Sequence, residues 1–307
     1  MARLRDIKRV LINVGPFEFT KRLIREILTD NIFVWASALA YSWLFACFPF
    51  IIFLMSLLPY LPEQTKFKAD EQISTAIATL PKPAADVIRA NLNSLLRNAH
   101  TGLLSTAIGI AIFAASGGMN MTMAGLDKCY DVVKARAFWK QRILAILLTV
   151  VVAAIILAVL ILLPIGNAVE KYILTHEKFG LSKQMILIFS ISRHCLAIFL
   201  MLCVLAILYY FGPNVKQRFH LLTPGSIFTI SVWLFLGVTF KFYIERFGKY
   251  DQTYGTVAGV AVLLLFFYID AVVLLIGAEI NSEIDFALGI PRGATDFRNI
   301  PNEAADH

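Results

Sequence analysis

Six stretches of the chain lose nearly all their polar residues: Ile32 to Tyr60, Leu103 to Met123, Ile143 to Pro164, Met185 to Phe211, Gly225 to Ile244 and Tyr254 to Ile280. Each approaches or exceeds the ~20 apolar residues that carry a helix across a ~30 Å hydrocarbon core, so the pattern predicts six transmembrane helices. Elsewhere the pattern is mixed, with helical spacing. Before the first span, "GPFEFTKRLIREILTDN" sets Leu23, Ile24, Ile27 and Leu28 among Lys21, Arg22 and Arg25, with Pro16 suited to a first helical turn. This predicts an amphipathic helix lying on the membrane interface. Between spans one and two, Ile73, Ile77 and Leu80, then Ile88, Leu92, Leu95 and Leu96, keep helical spacing on either side of Pro81 and Pro83. They predict two short amphipathic helices. The closing "PRGATDFRNIPNEAADH" has no apolar periodicity and is expected to be a flexible tail. The organisation expected is thus a cytoplasmic amphipathic segment over 1–30, a six-helix transmembrane domain over 31–285 with an extracytoplasmic amphipathic insertion at 63–101, and a cytoplasmic tail over 286–307.

Composition agrees with an all-α, polytopic membrane protein. Hydrophobic residues make up 58% of the chain and charged residues 16%, with a mean hydropathy of +0.71; soluble domains sit near 45–50% and 25%. No cleavable signal peptide is expected, because the first apolar run starts only after about thirty amphipathic residues. With a cytoplasmic N-terminus, the inside segments carry 16 of the 28 Lys and Arg, and the short segment Lys128 to Arg142 alone holds five. That asymmetry predicts both termini on the inner, cytoplasmic side of the membrane. The net charge of +7 sits mostly at membrane borders, where anionic lipid headgroups are the simpler partner than nucleic acid. Cys47, Cys129, Cys195 and Cys203 form no CxxC pair and read as small buried hydrophobes, so neither a disulfide framework nor a metal site is expected.

Polar groups inside the spans are few and each needs a partner or a task. Asp270 lies near the middle of the last span. At 100° per residue it shares one stripe, within about 40°, with Gly259, Leu263, Phe266, Leu274, Gly277 and Asn281, while Glu279 falls on the opposite side. Gly259 and Gly277, like Gly117 and Gly118 in "SGGMNMTMAG", are candidates for close helix packing. Counted from the outer ends of their spans, Asp270 and Asn120 lie ~24–25 Å down and Arg193 and His194 ~14 Å. Ser37, Tyr41 and Ser42 of span one fall between. The expectation is that these seven line one polar interior, with Arg193 and Asp270 pairing if their helices are adjacent. Two roles stay open: a structural ion pair that fixes helix order, or a solvated cavity for an ion, proton or polar headgroup.

Three stretches in order, "ALAYSWLFACFPF", "YYFGPNVKQRFHLLTPGSIFTISVWLFLGVTFKFYIERF" and "YGTVAGVAVLLLFFYIDAVVLLIGAEIN", resemble the YihY/BrkB family of bacterial inner-membrane proteins, once labelled ribonuclease BN. The resemblance runs from about Asn31 to Asp285. It implies a six-helix inner-membrane protein, for whose relatives transport, lipid handling and envelope resistance have been proposed, and it supplies no catalytic site. The family's pattern has a small polar or aromatic residue near the middle of span six, where this chain has Asp270.

The ribonuclease label prompts a check for nuclease chemistry. RNA hydrolysis needs a His or carboxylate pair, or a metal cluster, beside a basic groove. His100, His176, His220 and His307 are scattered, His194 falls inside a span, and no HxH, HxxxH or HxxE spacing, Walker loop or GxSxG elbow occurs. No enzyme, no catalytic residue and no cofactor is expected. The function expected is a transporter or lipid-handling protein using the polar interior; the alternative is a non-transporting scaffold for envelope machinery. Expected partners are membrane lipids, with further copies of the chain or an envelope protein.

Overall fold

Each apolar stretch forms a helix. The computed structural model describes residues 4–57, 101–175, 183–247 and 251–290, and among these there are eight α-helices and no strand: α1 (Leu4–Asn13), α2 (Pro16–Thr29), α3 (Ile32–Leu57), α4 (Thr101–Cys129), α5 (Phe138–Thr175), α6 (Lys183–Phe211), α7 (Pro224–Phe247) and α8 (Asp251–Ala287). Five carry long apolar windows, over Ile32–Pro49, Gly109–Cys129, Phe138–Val159, Leu187–Phe211 and Gly259–Ala287, and α7 adds a shorter one, Pro224–Phe240. The protein is an all-helical membrane protein with six apolar helices. The expected amphipathic insertion at 63–101 lies almost wholly outside the described residues, as does the tail beyond residue 290.

The amphipathic N-terminal segment is two helices rather than one. Pro16 opens α2, following Gly15 at φ +84°, a left-handed conformation that favours glycine. Val10 of α1 and Phe19 of α2 pack with Ile284 near the end of α8. The other face leaves Ile12, Phe17, Ile24 and Leu28 exposed, Phe17 at 83%, beside Lys21, Arg22 and Arg25. One apolar side is thus spent on the bundle and a second is left with a basic border, the pattern of a helix bound at a membrane surface.

The six long helices form a ring in chain order. Each packs on its successor, α8 closes onto α3, and α8 also touches α4. From α4 onward the links are only 3 to 12 residues long, which keeps successive helices adjacent and antiparallel; α3 and α4 are neighbours across a 43-residue connection. Within the ring, packing is uneven. Ile32, Ala36 and Leu39 of α3, Leu126 and Cys129 of α4, Leu205, Leu208 and Tyr209 of α6, Ile230 of α7, and Ala271, Leu274, Leu275 and Ala278 of α8 make one buried core. All lie toward the end that carries α1, α2 and the C-terminus of α8. Burial of this set is a packing term as well as a solvation term, since lipid would cover the same side chains if the helices parted.

Candidate functional site

Among the described residues, Asp270 stands at a step in burial along α8, between a buried and a more exposed stretch. Below it, toward α1 and α2, its stripe continues through Leu274, Gly277 and Asn281, all buried. Tyr209 donates its hydroxyl to the Leu274 carbonyl at 2.9 Å and shares a 2.8 Å hydrogen bond with Thr229. The Gly225 amide donates to Asn281 Oδ1 at 2.8 Å. A Cβ on Gly277 would collide with Thr229 Oγ1 and Tyr209 Oη and stand 2.9 Å from the Gly225 carbonyl. Glycine there lets α7 and α8 approach closely enough to bury these polar groups with partners.

Above Asp270 the same stripe passes through Phe266 and Leu263, both half-exposed, to Gly259, which is exposed and would meet nothing within 4 Å if given a Cβ. Neighbouring helices repeat the gradient. On α6, Tyr209 and Leu205 are fully buried, Leu202 and Ile198 half-buried, Cys195 and Ile191 exposed. On α7, Thr229 is buried, Trp233 half-buried and Gly237 exposed. Three helices therefore change at one level, and Trp233 Nε1 marks it by donating to the Asp270 carbonyl at 3.3 Å. The Asp270 side chain itself is half-buried.

The closed end is latched from its loops. A helix leaves its last carbonyls without intrahelical donors. At the end of α6, Gln217 Nε2 donates to the Tyr209 and Tyr210 carbonyls, and Arg136 donates to Phe211 at 3.0 Å and, just beyond the helix, to Gly212 at 2.6 Å and Pro213 at 2.8 Å. Asp127 accepts from the Asn214 amide at 2.6 Å, and Asn214 Nδ2 donates to the Lys134 carbonyl at 2.8 Å. Burial lowers the Arg136 pKa from its usual value, with the Asp127 carboxylate opposing the shift.

The expected polar grouping is corrected in several places. Tyr209 and Leu274 lie at one level, and Arg193 is sixteen residues above Tyr209 while Asp270 is four above Leu274. At 1.5 Å per residue that separates them by ~18 Å along the axis, too far for a guanidinium to span. Arg193 also points ~160° away from Tyr209 around α6, and is buried against α5, where Gly166 has no Cβ to obstruct it. Asp270 is not its partner. His194, next to it, is exposed and sets Nδ1 2.7 Å from the Ser190 carbonyl. Ser37 is exposed and donates to the Phe33 carbonyl at 2.9 Å. Tyr41, 61% exposed, stacks on Phe45 within the apolar outer face of α3. Asn120 and Ser42 are half-buried near the level of Asp270. Of the glycines, Gly118 packs against Ala46 of α3, whereas Gly117, like Gly259, faces open space.

Tyr209, Thr229, Trp233 and Arg136 were not singled out by sequence. The first two were legible as hydroxyls inside apolar runs, but only helix order shows that they bind each other.

Comparison with known proteins places the chain. Residues 23–293 match the family model described as "Virulence factor BrkB". The chain is 31% identical over 247 residues to the "Putative ribonuclease-like protein YfkH" of Bacillus subtilis (strain 168), covering 80% of this chain and 88% of that one. It is 26% identical to the "UPF0761 membrane protein PSHAa0171" of Pseudoalteromonas translucida (strain TAC 125), covering 84% and 83%. It is 27% identical to a UPF0761 membrane protein of Actinobacillus pleuropneumoniae serotype 5b (strain L20), covering 87% and 93%. No solved structure matches. With most of the chain aligned to one family and the apolar ring in place, the protein belongs to the BrkB family of membrane proteins.

Proposed function

We propose that the protein is an inner-membrane transporter or lipid-handling protein whose working space lies between the six helices, open on the end away from α1 and α2 and floored at Asp270. The observation that carries this reading is the gradient along the Asp270 stripe, buried from Leu274 onward and progressively exposed from Phe266 to Gly259. The surrounding side chains, Leu263, Phe266, Ile198, Leu202 and Trp233, are apolar, with one acid at the base. Such a lining suits an amphipathic molecule with a cationic or hydrogen-bonding head better than a hydrated ion. The positive-inside bias, with Lys134, Arg136, Lys140 and Arg142 at the closed end, supports a cytoplasmic orientation for that end. Alternating access would then require the latched end to loosen.

The ribonuclease-like name belongs to the Bacillus subtilis relative. In this chain the single acid at the floor has no second acid–base group on its stripe and no basic groove beside it among the described residues, so the reading here is a non-enzyme.

Reconstitution tests it. Wild-type protein in liposomes, offered a panel of ions and labelled lipids, is expected to move at least one of them above empty liposomes, and Asp270→Asn to assemble normally and lose that flux. Wild-type flux no greater than that of empty liposomes would overturn the proposal and favour a scaffold in which the same polar groups are structural.

A further inference from the structure

Helix α2 has two sides with different partners. At 100° per residue Phe17, Ile24 and Leu28 fall within a stripe ~40° wide, Lys21 and Arg25 border one edge of it, and Phe19 lies ~160° away. Phe19 is buried with Val10 and Ile284, and Asp30, the C-cap of α2, takes the Lys128 ammonium at 3.0 Å. That side is therefore held by α1, α4 and α8. The stripe and the two cations on its border are exposed. Arg22 is neutralised by Glu18 at 3.3 Å, whereas among the described residues neither Lys21 nor Arg25 meets a carboxylate. Standing one turn apart on the same face, these two cations repel each other unless an anion lies between them. The exposed apolar surface also continues past the helix. Asn31, at φ +53°, turns the chain directly into α3, where Phe33 and Val34 are exposed at the start of the first apolar span.

We propose that the outer face of α2 is a docking surface for anionic phospholipid, with the lipid phosphate held between Lys21 and Arg25 and the acyl chains against Phe17, Ile24 and Leu28. Arg25 offers a planar fork that matches phosphate oxygens, and Lys21 adds a mobile point charge from the next turn. A soluble anion would satisfy the two cations and leave the three apolar side chains in water; a lipid covers both. The run from Leu28 to Phe33 and Val34 favours the bilayer over a protein partner, because α3 enters the membrane there and its outward side chains already face lipid. Docking at this face has a structural consequence. The same helix carries Phe19 and Asp30 on its other side, so a lipid that holds α2 down also presses it against Ile284 of α8 and Lys128 of α4. Anionic lipid thus fastens the N-terminal helix to the closed end of the bundle.

The test compares amide hydrogen exchange of the full-length protein in nanodiscs of phosphatidylcholine alone and of phosphatidylcholine mixed with phosphatidylglycerol. Exchange through residues 16–29 is expected to be slower in the anionic discs, by about fivefold for each cation and roughly 25-fold for the two together. Lys21→Gln/Arg25→Gln should exchange alike in both discs. Both positions are exposed, and Gln is as good a helix former as the residues it replaces, so the fold is preserved. Glu18→Gln/Arg22→Gln removes an ion pair without changing net charge and should keep the full lipid effect. Millimolar inorganic phosphate added to phosphatidylcholine discs should not reproduce it. Equal exchange of wild type in the two discs, a lipid effect that survives Lys21→Gln/Arg25→Gln, or equal slowing by inorganic phosphate would overturn the proposal.

Discussion

Gly277→Ala and Gly259→Ala make the same chemical change on the same stripe of α8 and should have opposite effects. At Gly277 the new methyl collides with Tyr209 Oη and Thr229 Oγ1 and stands 2.9 Å from the Gly225 carbonyl. Overpacking of this kind costs about 1–3 kcal/mol. Pushing Tyr209 aside also endangers its hydrogen bonds to Thr229 and Leu274, each worth about 0.5–1.5 kcal/mol net. Against this, alanine gains up to about 1 kcal/mol over glycine in a helix. The net loss should be about 1–4 kcal/mol, or roughly 2–8 °C in melting temperature at about 2 °C per kcal/mol for a chain of this size. At Gly259 nothing lies within 4 Å, so only the helix-propensity gain of up to about 1 kcal/mol remains. Its melting temperature should stay level or rise by about 2 °C. Thermal unfolding of both variants in one detergent, followed by helical circular dichroism, decides it. Equal losses at the two positions, or none at Gly277, would refute the filled-below, open-above reading of the ring.

The same gradient predicts chemical accessibility. With cysteines introduced one at a time in a background lacking Cys47, Cys129, Cys195 and Cys203, Leu263→Cys should react with a water-soluble maleimide and Leu274→Cys should not; equal labelling would mean that the stripe has no floor at Asp270. At the closed end, Arg136→Lys keeps the charge but loses the guanidinium fork that meets three carbonyls. It should cost about 1–2 kcal/mol and speed hydrogen exchange through residues 211–215; exchange unchanged from wild type would show that the latch does not hold that loop.

The sequence by itself determined the number of long apolar helices, the amphipathic character of the N-terminal segment and the membrane class, because each follows from local periodicity and length. It also placed Asp270, Leu274, Gly277 and Asn281 on one stripe, since helical geometry alone fixes their relative angles. What that stripe faces was decided by tertiary structure: Gly259 and Gly277 are equivalent in pattern, yet one meets open space and the other meets Tyr209 and Thr229. Depth counted from span ends misled for Arg193, because helix ends in the sequence do not reveal how far each helix slides against its neighbour. Ser37 and His194 turned out on exposed faces for a related reason, as each sets a polar atom against a carbonyl one turn back on its own helix and needs no interior partner. Asp30 and Glu279 at the closed end are 249 residues apart and meet only because the ring closes α8 onto α3. Periodicity is a property of one helix, whereas burial and pairing belong to the contacts between helices, and those exist only once the ring has formed.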